Sequence, residues 1–151
     1  MRFFTIEPEV AGGWGENVVV DTSTHPPRVD KLHYEIDDWF GDCLVTAFPC
    51  LVATEAAASA LRDMGATGIE FADVEISTSL VYAQLYENKN PERELPKFVW
   101  LRVVGAAGEA DVGTYYKRVE NTAVFRFVIS ERALEVLRPL GLNNAEIEPF
   151  Q

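Results

Sequence analysis

The chain has 151 residues and carries 24 acidic against 13 basic side chains, which gives a net charge of −11 at neutral pH. Apolar residues make up 48% of the sequence, so the chain can build a folded core and is not a disordered acidic tail. This length and composition predict one soluble globular domain, argue against a nucleic-acid or anionic-membrane partner, and favour a basic protein as partner.

The N-terminal residues predict that the protein stays in the cytoplasm. The first apolar run, residues 1–6, is followed at once by two glutamates and a proline, so it is too short for the apolar core of a signal peptide. Charged residues interrupt every longer apolar stretch, which excludes a membrane-spanning helix. Cys43 and Cys50 flank an apolar run, and two buried thiols in a reducing compartment explain them without a disulfide.

The N-terminal part of the chain combines short strands and turns with a dense acidic cluster. We predict strands over 2–6 and 17–21, separated by a glycine-rich turn over 11–15, and the two prolines at 26–27 exclude a helix there. Residues 1–53 contain nine acidic and three basic side chains, so this part carries most of the negative charge. Its densest cluster surrounds Trp39 and consists of Glu35, Asp37, Asp38 and Asp42.

Two segments 76 residues apart resemble one another. Thr54–Gly65 aligns with Ser130–Gly141, and both begin with a hydroxyl residue and a glutamate, which suit the first turn of a helix, and end in a glycine suited to a C-terminal stop. An apolar run precedes each helix and a shorter one follows it. The pattern predicts related strand–helix–strand units over 44–76 and 123–148, within one mixed α+β domain over 1–151. The units are either an internal repeat or two well-capped helices that are similar by chance.

The segment between the two units carries helix, loop and strand signals in turn. Residues 80–87 have helical apolar spacing, 88–96 form a polar loop with two prolines, and 98–104 are the clearest strand of the chain. A further loop, which begins at the glycine-rich segment 105–108, is predicted to run to about residue 115.

The spacing of residues in this chain predicts no catalytic, metal or cofactor site. A serine hydrolase needs a histidine base, but His25 and His33 lie in no recognisable triad and no Gly-x-Ser-x-Gly elbow is present. Thiol catalysis by Cys43 or Cys50 with His33 is disfavoured, because both thiols belong to a core-facing run in which burial makes a thiol inert. Zinc would need a pattern such as Cys-x-x-Cys, and the acidic cluster fits a solvated turn better than a calcium loop. We therefore predict no catalytic residues, no bound metal and no cofactor.

Five short segments of the chain, in their order, carry a family resemblance. They are LHYEIDDWFGDCL (32–44), FPCLVATE (48–55), LPKFVWL (95–101), DVG (111–113) and VISERALEVLR (128–138). Together they resemble the signature of a family of small, mostly acidic bacterial immunity proteins, which belong to polymorphic toxin systems and are abundant in myxobacteria. The resemblance covers most of the chain from about residue 30 onward. The chain departs from the family at Cys43, where an acidic residue often sits, and in a longer connection over 113–123.

The resemblance implies a non-catalytic protein that binds and neutralises a cognate bacterial toxin. The charge of the chain would steer it toward a basic toxin domain. The residues predicted to face this partner are Glu35, Asp37, Asp38, Trp39 and Asp42. The rival interpretation of the same segment is a structural turn fixed by the tryptophan and by Gly41. Two other functions stay open at this point: a small enzyme with a dispersed active site, and an acidic mimic of nucleic acid.

Overall fold

The structure, a computed structural model, describes residues 1–86 and 95–151, and these residues form a mixed α+β fold. This part of the chain contains three α-helices, α1 (Glu55–Asp63), α2 (Leu80–Tyr86) and α3 (Glu131–Leu137), and a 3-10 turn over Arg138–Leu140 extends α3. The strands are β1 (Phe3–Glu7), β2 (Gly12–Trp14), β3 (Val19–Asp21), β4 (Arg28–Lys31), β5 (His33–Ile36), β6 (Leu44–Ala47), β7 (Cys50–Thr54), β8 (Ile69–Ala72), β9 (Glu75–Thr78), β10 (Phe98–Val103), β11 (Val112–Val119), β12 (Thr122–Ser130) and β13 (Glu146–Phe150). The predicted α+β class is confirmed. Most of the predicted 88–96 loop, residues 88–94, lies outside the described residues.

Eight of the described strands form two four-stranded antiparallel sheets with the same topology. The first sheet has the order β6–β7–β10–β8, and the second sheet has the order β11–β12–β1–β13. In each sheet a hairpin leads into a helix, and the strand after the helix returns to the far side of a central strand, β10 or β1. Both predicted strand–helix–strand units are therefore present, and each receives its central strand from another part of the chain.

The two sheets also share one strand register. In the first sheet, Leu101 of β10 lies opposite Leu51 on one side and Phe71 on the other. The equivalent residues of the second sheet are Ile6, Phe127 and Ile147. The offset of 76 residues found in the sequence is also the offset between equivalent positions of β7 and β12 and of β8 and β13, whereas the outer strands β6 and β11 and the central strands β10 and β1 do not follow it.

The two equivalent helices begin as the sequence predicts and share one core. The hydroxyl oxygens of Thr54 and Ser130 accept hydrogen bonds from the backbone N–H groups of Ala57 (3.3 Å) and Ala133 (3.2 Å), which caps α1 and α3. The helices contact each other and pack against the inner faces of both sheets. Their fully buried side chains in this core are Ala57, Ala58, Leu61, Ala133, Leu134 and Leu137.

A three-stranded sheet, β2–β5–β9, covers the other face of the first sheet. Tyr34 and Ile36 of β5 pack with Val52 and Trp100 in a second core. The outer face of the second sheet differs. The segment 105–107 crosses it above Gly113, but other positions on this face carry exposed charged side chains.

Several strand predictions are wrong in detail. The segment 11–15, predicted as a turn, contains β2, which pairs with β5. Gly12 permits this pairing, because a side chain there would meet the carbonyl oxygen of Glu35 at 1.9 Å. The run 44–53 is the β6–β7 hairpin, the predicted 105–115 loop already ends at β11, and the 113–123 connection is the β11–β12 hairpin. Short strands form through partners distant in sequence and leave little local signal.

A buried carboxylate ties the second sheet to the first unit. Asp111, just before β11, accepts hydrogen bonds from the backbone N–H of Thr67 in the α1–β8 loop (2.9 Å) and from the Ser130 hydroxyl (2.7 Å). It also forms a two-point ion pair with Arg132, whose Nε lies 2.7 Å away. The Arg132 guanidinium and these hydrogen bonds hold the pKa of Asp111 well below its usual range. Asp111, which stands in the family-like Asp-x-Gly segment, therefore has a structural role.

Candidate partner-binding surface

The acidic segment predicted to face a partner lies in β5 and in the loop that follows it. This loop wraps around the side chain of Glu9, which is only 4% exposed. The Glu9 carboxylate accepts hydrogen bonds from the backbone N–H groups of Phe40 (2.6 Å) and Asp42 (3.2 Å). Burial raises the pKa of Glu9, and the two hydrogen bonds partly offset that increase. The loop is therefore fixed from beneath by a residue outside the predicted segment.

Asp42 does not face a partner, and this part of the prediction is wrong. Its side chain is 1% exposed, and its two carboxylate oxygens accept hydrogen bonds from the backbone N–H (2.8 Å) and the side-chain amide (3.1 Å) of Asn144. Asn144 lies in the loop between α3 and β13. Asp42, just before β6 of the first unit, is thus hydrogen-bonded to the loop before β13 of the second unit. Asp111, just before β11, is hydrogen-bonded in turn to the α1–β8 loop of the first unit.

Trp39 also has a structural role in this loop. Its ring is half-buried and meets the ring of Phe98 edge-on, with 5.7 Å between the centroids, and its indole N–H donates to the backbone oxygen of Asp42 (2.9 Å). Gly41, two residues on, has a backbone φ of +105°, which residues with a side chain rarely adopt. These contacts support the interpretation of Trp39 and Gly41 as the fixed points of a turn.

The three remaining residues of the predicted surface differ in exposure. Asp37 is exposed, whereas Asp38 is half-buried and accepts a hydrogen bond from the hydroxyl of Tyr86 at the end of α2. Glu35 is half-buried in β5, between β2 and β9. Of the five predicted residues, Asp37 is therefore the one whose side chain is free to meet a partner without rearrangement.

Sequence reasoning missed a cluster of exposed apolar side chains beside this loop. Val10, Phe40 and Phe48 are 69%, 65% and 53% exposed, and we call them the apolar patch. Val10 and Phe40 line one shallow cavity of about 320 Å³, and Val10 and Phe48 line the adjoining cavity of about 250 Å³. Glu7 lines both cavities. The apolar patch is therefore one continuous surface.

Backbone and ring contacts fix the patch residues in place. The backbone N–H of Phe40 is held by Glu9, and the backbone oxygen of Glu9 accepts a hydrogen bond from the N–H of Thr46 in β6 (2.9 Å). The ring of Phe48, in the β6–β7 turn, packs edge-on against Phe125 with a centroid distance of 5.1 Å. Side chains presented by a fixed backbone lose little conformational freedom when a partner covers them.

The rim of the apolar patch is acidic. Glu7 and Glu146 line the cavity beneath Phe40, and the two glutamates lie directly opposite each other on β1 and β13. Like charges at such a position repel, and an exposed ion pair of Glu7 with Arg126 (3.6 Å) offsets little of this. The equivalent pair in the first sheet is Arg102 opposite Glu70, which carry opposite charges. The rim of the patch therefore favours a positive group from outside.

The structure brings a hydroxyl, an imidazole and a carboxylate together at a place that sequence spacing did not indicate. Nε2 of the buried His33 lies 2.7 Å from the Ser77 hydroxyl and 3.7 Å from a carboxylate oxygen of Glu75. Its Nδ1 accepts the backbone N–H of Asn17 (3.1 Å), which assigns the ring proton to Nε2. A general base would need a free Nε2 toward the serine. This cluster instead joins β5, β9 and the β2–β3 connection.

The two thiols are buried, and the acidic side chains of the described parts of the chain form no metal-binding group. Cys43 and Cys50 are buried, as predicted, and burial raises the pKa of each thiol to about 12. Within 1–86 and 95–151, no group of three or more His, Cys, Asp or Glu side chains is placed to hold a metal ion. No helix of these residues is long and apolar enough to cross a membrane.

Comparisons with known proteins add no relative to these observations. Protein-family profiles, curated proteins and solved structures were compared with the chain, and none of them matches it.

Proposed function

We propose that this protein binds a basic protein partner through the apolar patch and its acidic rim, and that in this way it neutralises a toxin. One observation carries the proposal: Val10, Phe40 and Phe48 are exposed together on a fixed backbone beside two opposed glutamates. The resemblance to bacterial immunity proteins supports the same class of function and supplies the toxin as partner.

The apolar part of this surface would provide most of the binding free energy. Covering apolar area yields about 25 cal/mol per Å² before the costs of association are subtracted. Large aromatic side chains at the centre of an interface are typical hot spots, and Phe40 and Phe48 are the exposed aromatic residues of the patch. The cavities beside them give a partner's side chains a place to insert.

The charge of the chain would select the partner and speed its approach. A net charge of −11 attracts a basic domain over distances comparable to the Debye length. Close to the surface, Glu7, Asp37 and Glu146 would meet lysine or arginine side chains of the partner. An acidic partner would instead add repulsion at the rim, where Glu7 and Glu146 already oppose each other.

The direct experiment takes as candidate toxin the C-terminal domain of the protein encoded by the reading frame immediately upstream, which the proposal expects to be basic. Titration calorimetry of the purified pair is expected to give tight, one-to-one binding, and co-expression is expected to protect cells from the toxin. Phe40→Ser is expected to weaken binding about 30-fold or more, the size of a hot-spot loss.

Val119→Ser is the matched control for this experiment. Val119 is 45% exposed at the tip of the β11–β12 hairpin, so its replacement removes exposed apolar area outside the patch. Binding by this variant is expected to equal that of the wild type. The proposal is wrong if the upstream domain does not bind the wild-type protein. It is also wrong if Phe40→Ser binds that domain as tightly as the wild type and the Val119→Ser control do.

A further inference from the structure

A third cavity, of about 220 Å³, which we call the first-sheet cavity, lies between β10, the residues that lead into β4, the β6–β7 turn, and Thr114 and Phe125 of the second sheet. It is smaller than the roughly 300–1,000 Å³ of sites for drug-sized ligands. Prolines and aromatic or aliphatic side chains form most of its wall, and its polar lining consists of Arg28, Arg102 and Thr114 together with the Cys50 thiol. The guanidinium of Arg102 lies 5.0 Å above the centre of the Trp100 ring.

This cavity has a structural equivalent beside the apolar patch. The shared topology and register of the two sheets relate the lining of the first-sheet cavity to that of the second-sheet cavity, which Val10 and Phe48 line. Equivalent residues in the two cavities are Leu101 and Ile6, Arg102 and Glu7, and Cys50 and Arg126. The molecule therefore contains an internal comparison for the charges of this site.

The two cavities differ in how their arginine is neutralised. In the second-sheet cavity, Nε of Arg126 lies 3.6 Å from the carboxylate of Glu7. In the first-sheet cavity, Arg102 occupies the place of Glu7, and the place of Arg126 is taken by Cys50, a neutral thiol because burial raises its pKa to about 12. Among the residues that the structure describes, no carboxylate lies within 4.0 Å of Arg102.

The neighbouring charges leave Arg102 as the available cation of this cavity. Arg28 already pairs with Asp21 (3.9 Å) and Asp30 (3.3 Å). Glu70 lies opposite Arg102 on β8 but forms no ion pair with it. A guanidinium offers two parallel N–H groups that match the geometry of a carboxylate.

We propose that the first-sheet cavity binds a small carboxylate ligand with a planar apolar body, of the size of an aromatic acid. The carboxylate pairs with Arg102, in the way that Glu7 pairs with Arg126 in the equivalent cavity, and the body lies against Trp100 and Pro49. The reason for a carboxylate is the guanidinium of Arg102, which no described carboxylate neutralises. In the second-sheet cavity the chain itself supplies a carboxylate beside an arginine, although there the arginine lies at the position equivalent to Cys50 and the carboxylate at the position equivalent to Arg102.

Benzoate titrated into the ¹⁵N-labelled protein tests this site, with the indole N–H signal of Trp100 as readout. Saturable binding in the millimolar range or tighter is expected, whereas benzamide, which has the same shape without the charge, is expected not to bind. Arg102→Gln is expected to weaken benzoate binding about tenfold or more, the usual effect of losing a charge-assisted hydrogen bond. Because Arg102 is exposed, the Arg102→Gln variant is expected to fold normally, and thermal melts check this.

Arg126→Gln is the matched control. It removes the arginine of the second-sheet cavity, which already pairs with the carboxylate of Glu7 and is therefore not expected to bind benzoate. Benzoate binding by this variant is expected to be unchanged. The proposal is overturned if benzoate does not bind the wild type, if Arg102→Gln binds it equally well, or if Arg126→Gln causes the same loss. Tighter binding of phenyl phosphate than of benzoate would overturn the assignment of a carboxylate.

Discussion

The first and second sheets have one topology and one register, yet their outer faces are covered differently. The outer face of the first sheet carries β2, β5 and β9, and its side chains Cys50, Trp100 and Ala72 are apolar and largely enclosed. The equivalent residues of the second sheet are Arg126, Thr5 and Glu148. The same backbone arrangement therefore supports a two-sided core in one place and a polar surface in the other. What lies against the outer face selects the side chains.

The same comparison explains where exposed apolar groups occur. Val10, Phe40 and Phe48 lie where the covering layer of the first sheet ends and the second sheet begins. A structural need for these side chains would place them in one of the two cores, but they are more than half exposed. The boundary between the two sheets is therefore where these exposed apolar side chains lie, and it is the surface at which we propose that a partner binds.

The largest effect is expected at the buried carboxylates that tie the two units together. Asp111→Ala leaves the Thr67 N–H, the buried Ser130 hydroxyl and the half-exposed Arg132 guanidinium without their acceptor, so we expect a loss of about 3–5 kcal/mol in unfolding free energy. Asp42→Ala removes hydrogen bonds from the uncharged Asn144 and should cost about 1–3 kcal/mol. Urea unfolding measures both. Equal losses would show that the charge of Arg132 adds nothing to the Asp111 tie.

The equivalent leucines of α1 and α3 sharpen the comparison of the units. Leu61 and Leu137 are both fully buried in the shared core. Leu61→Ala and Leu137→Ala should each lower the unfolding free energy by about 2–5 kcal/mol, because each empties a core site. Val119→Ala, on the exposed hairpin, is the control and should change it by less than about 0.5 kcal/mol. A melting temperature unchanged in either leucine variant would contradict the packing of that helix.

The low pKa of Asp111 predicts a loss of stability in acid. The folded state holds this pKa below the ordinary value of 3.8, so the stabilisation is fully present above that value and is lost as the pH falls toward the lowered pKa. Asp111→Asn should therefore unfold with a weaker pH dependence below about pH 4. Glu9→Gln is a control of opposite sign, because the raised pKa of Glu9 makes acid favour the folded state. Parallel pH profiles for the wild type and Asp111→Asn would disprove this account.

The smallest effect is expected at Asp37, the exposed acidic residue of the loop beside the apolar patch. Asp37→Asn should leave the melting temperature unchanged, because this exposed side chain contributes little to folding. It should slow association with the basic partner a few-fold and flatten the dependence of the association rate on salt. Stopped-flow measurements at two salt concentrations provide the test. An unchanged association rate, with any loss of affinity confined to faster dissociation, would contradict a steering role for Asp37.

Sequence patterns predicted the helical parts of the fold well. Thr54 and Ser130 cap their helices as expected, and the 76-residue offset between them also relates β7 to β12 and β8 to β13. These features are visible because capping and helical spacing are local. The strands β1 and β10 were themselves predicted, but their partner strands are far away in sequence. Periodicity alone therefore could not predict that each lies at the centre of a sheet.

The candidate surface was harder to predict, for the same reason. Composition marked residues 35–42 as acidic. Asp42 is nevertheless buried, because Asn144, about 100 residues away, donates two hydrogen bonds to its carboxylate. Val10 and Phe48 give no signal in the sequence, since their exposure depends on how two sheets meet. A glutamate beside a proline at residues 7–9 could have suggested an irregular edge, but not the buried position of Glu9.

Hydrogen–deuterium exchange of the free protein and of its complex with the basic partner domain tests the central claim most directly. The account predicts slower exchange on binding in the β1–β2 connection that carries Val10, in the loop that carries Phe40 and in the β6–β7 turn at Phe48. It predicts no change at the tip of the β11–β12 hairpin, residues 119–122, which lies outside the apolar patch. Protection confined to that hairpin, with the apolar patch exchanging as in the free protein, would contradict the account.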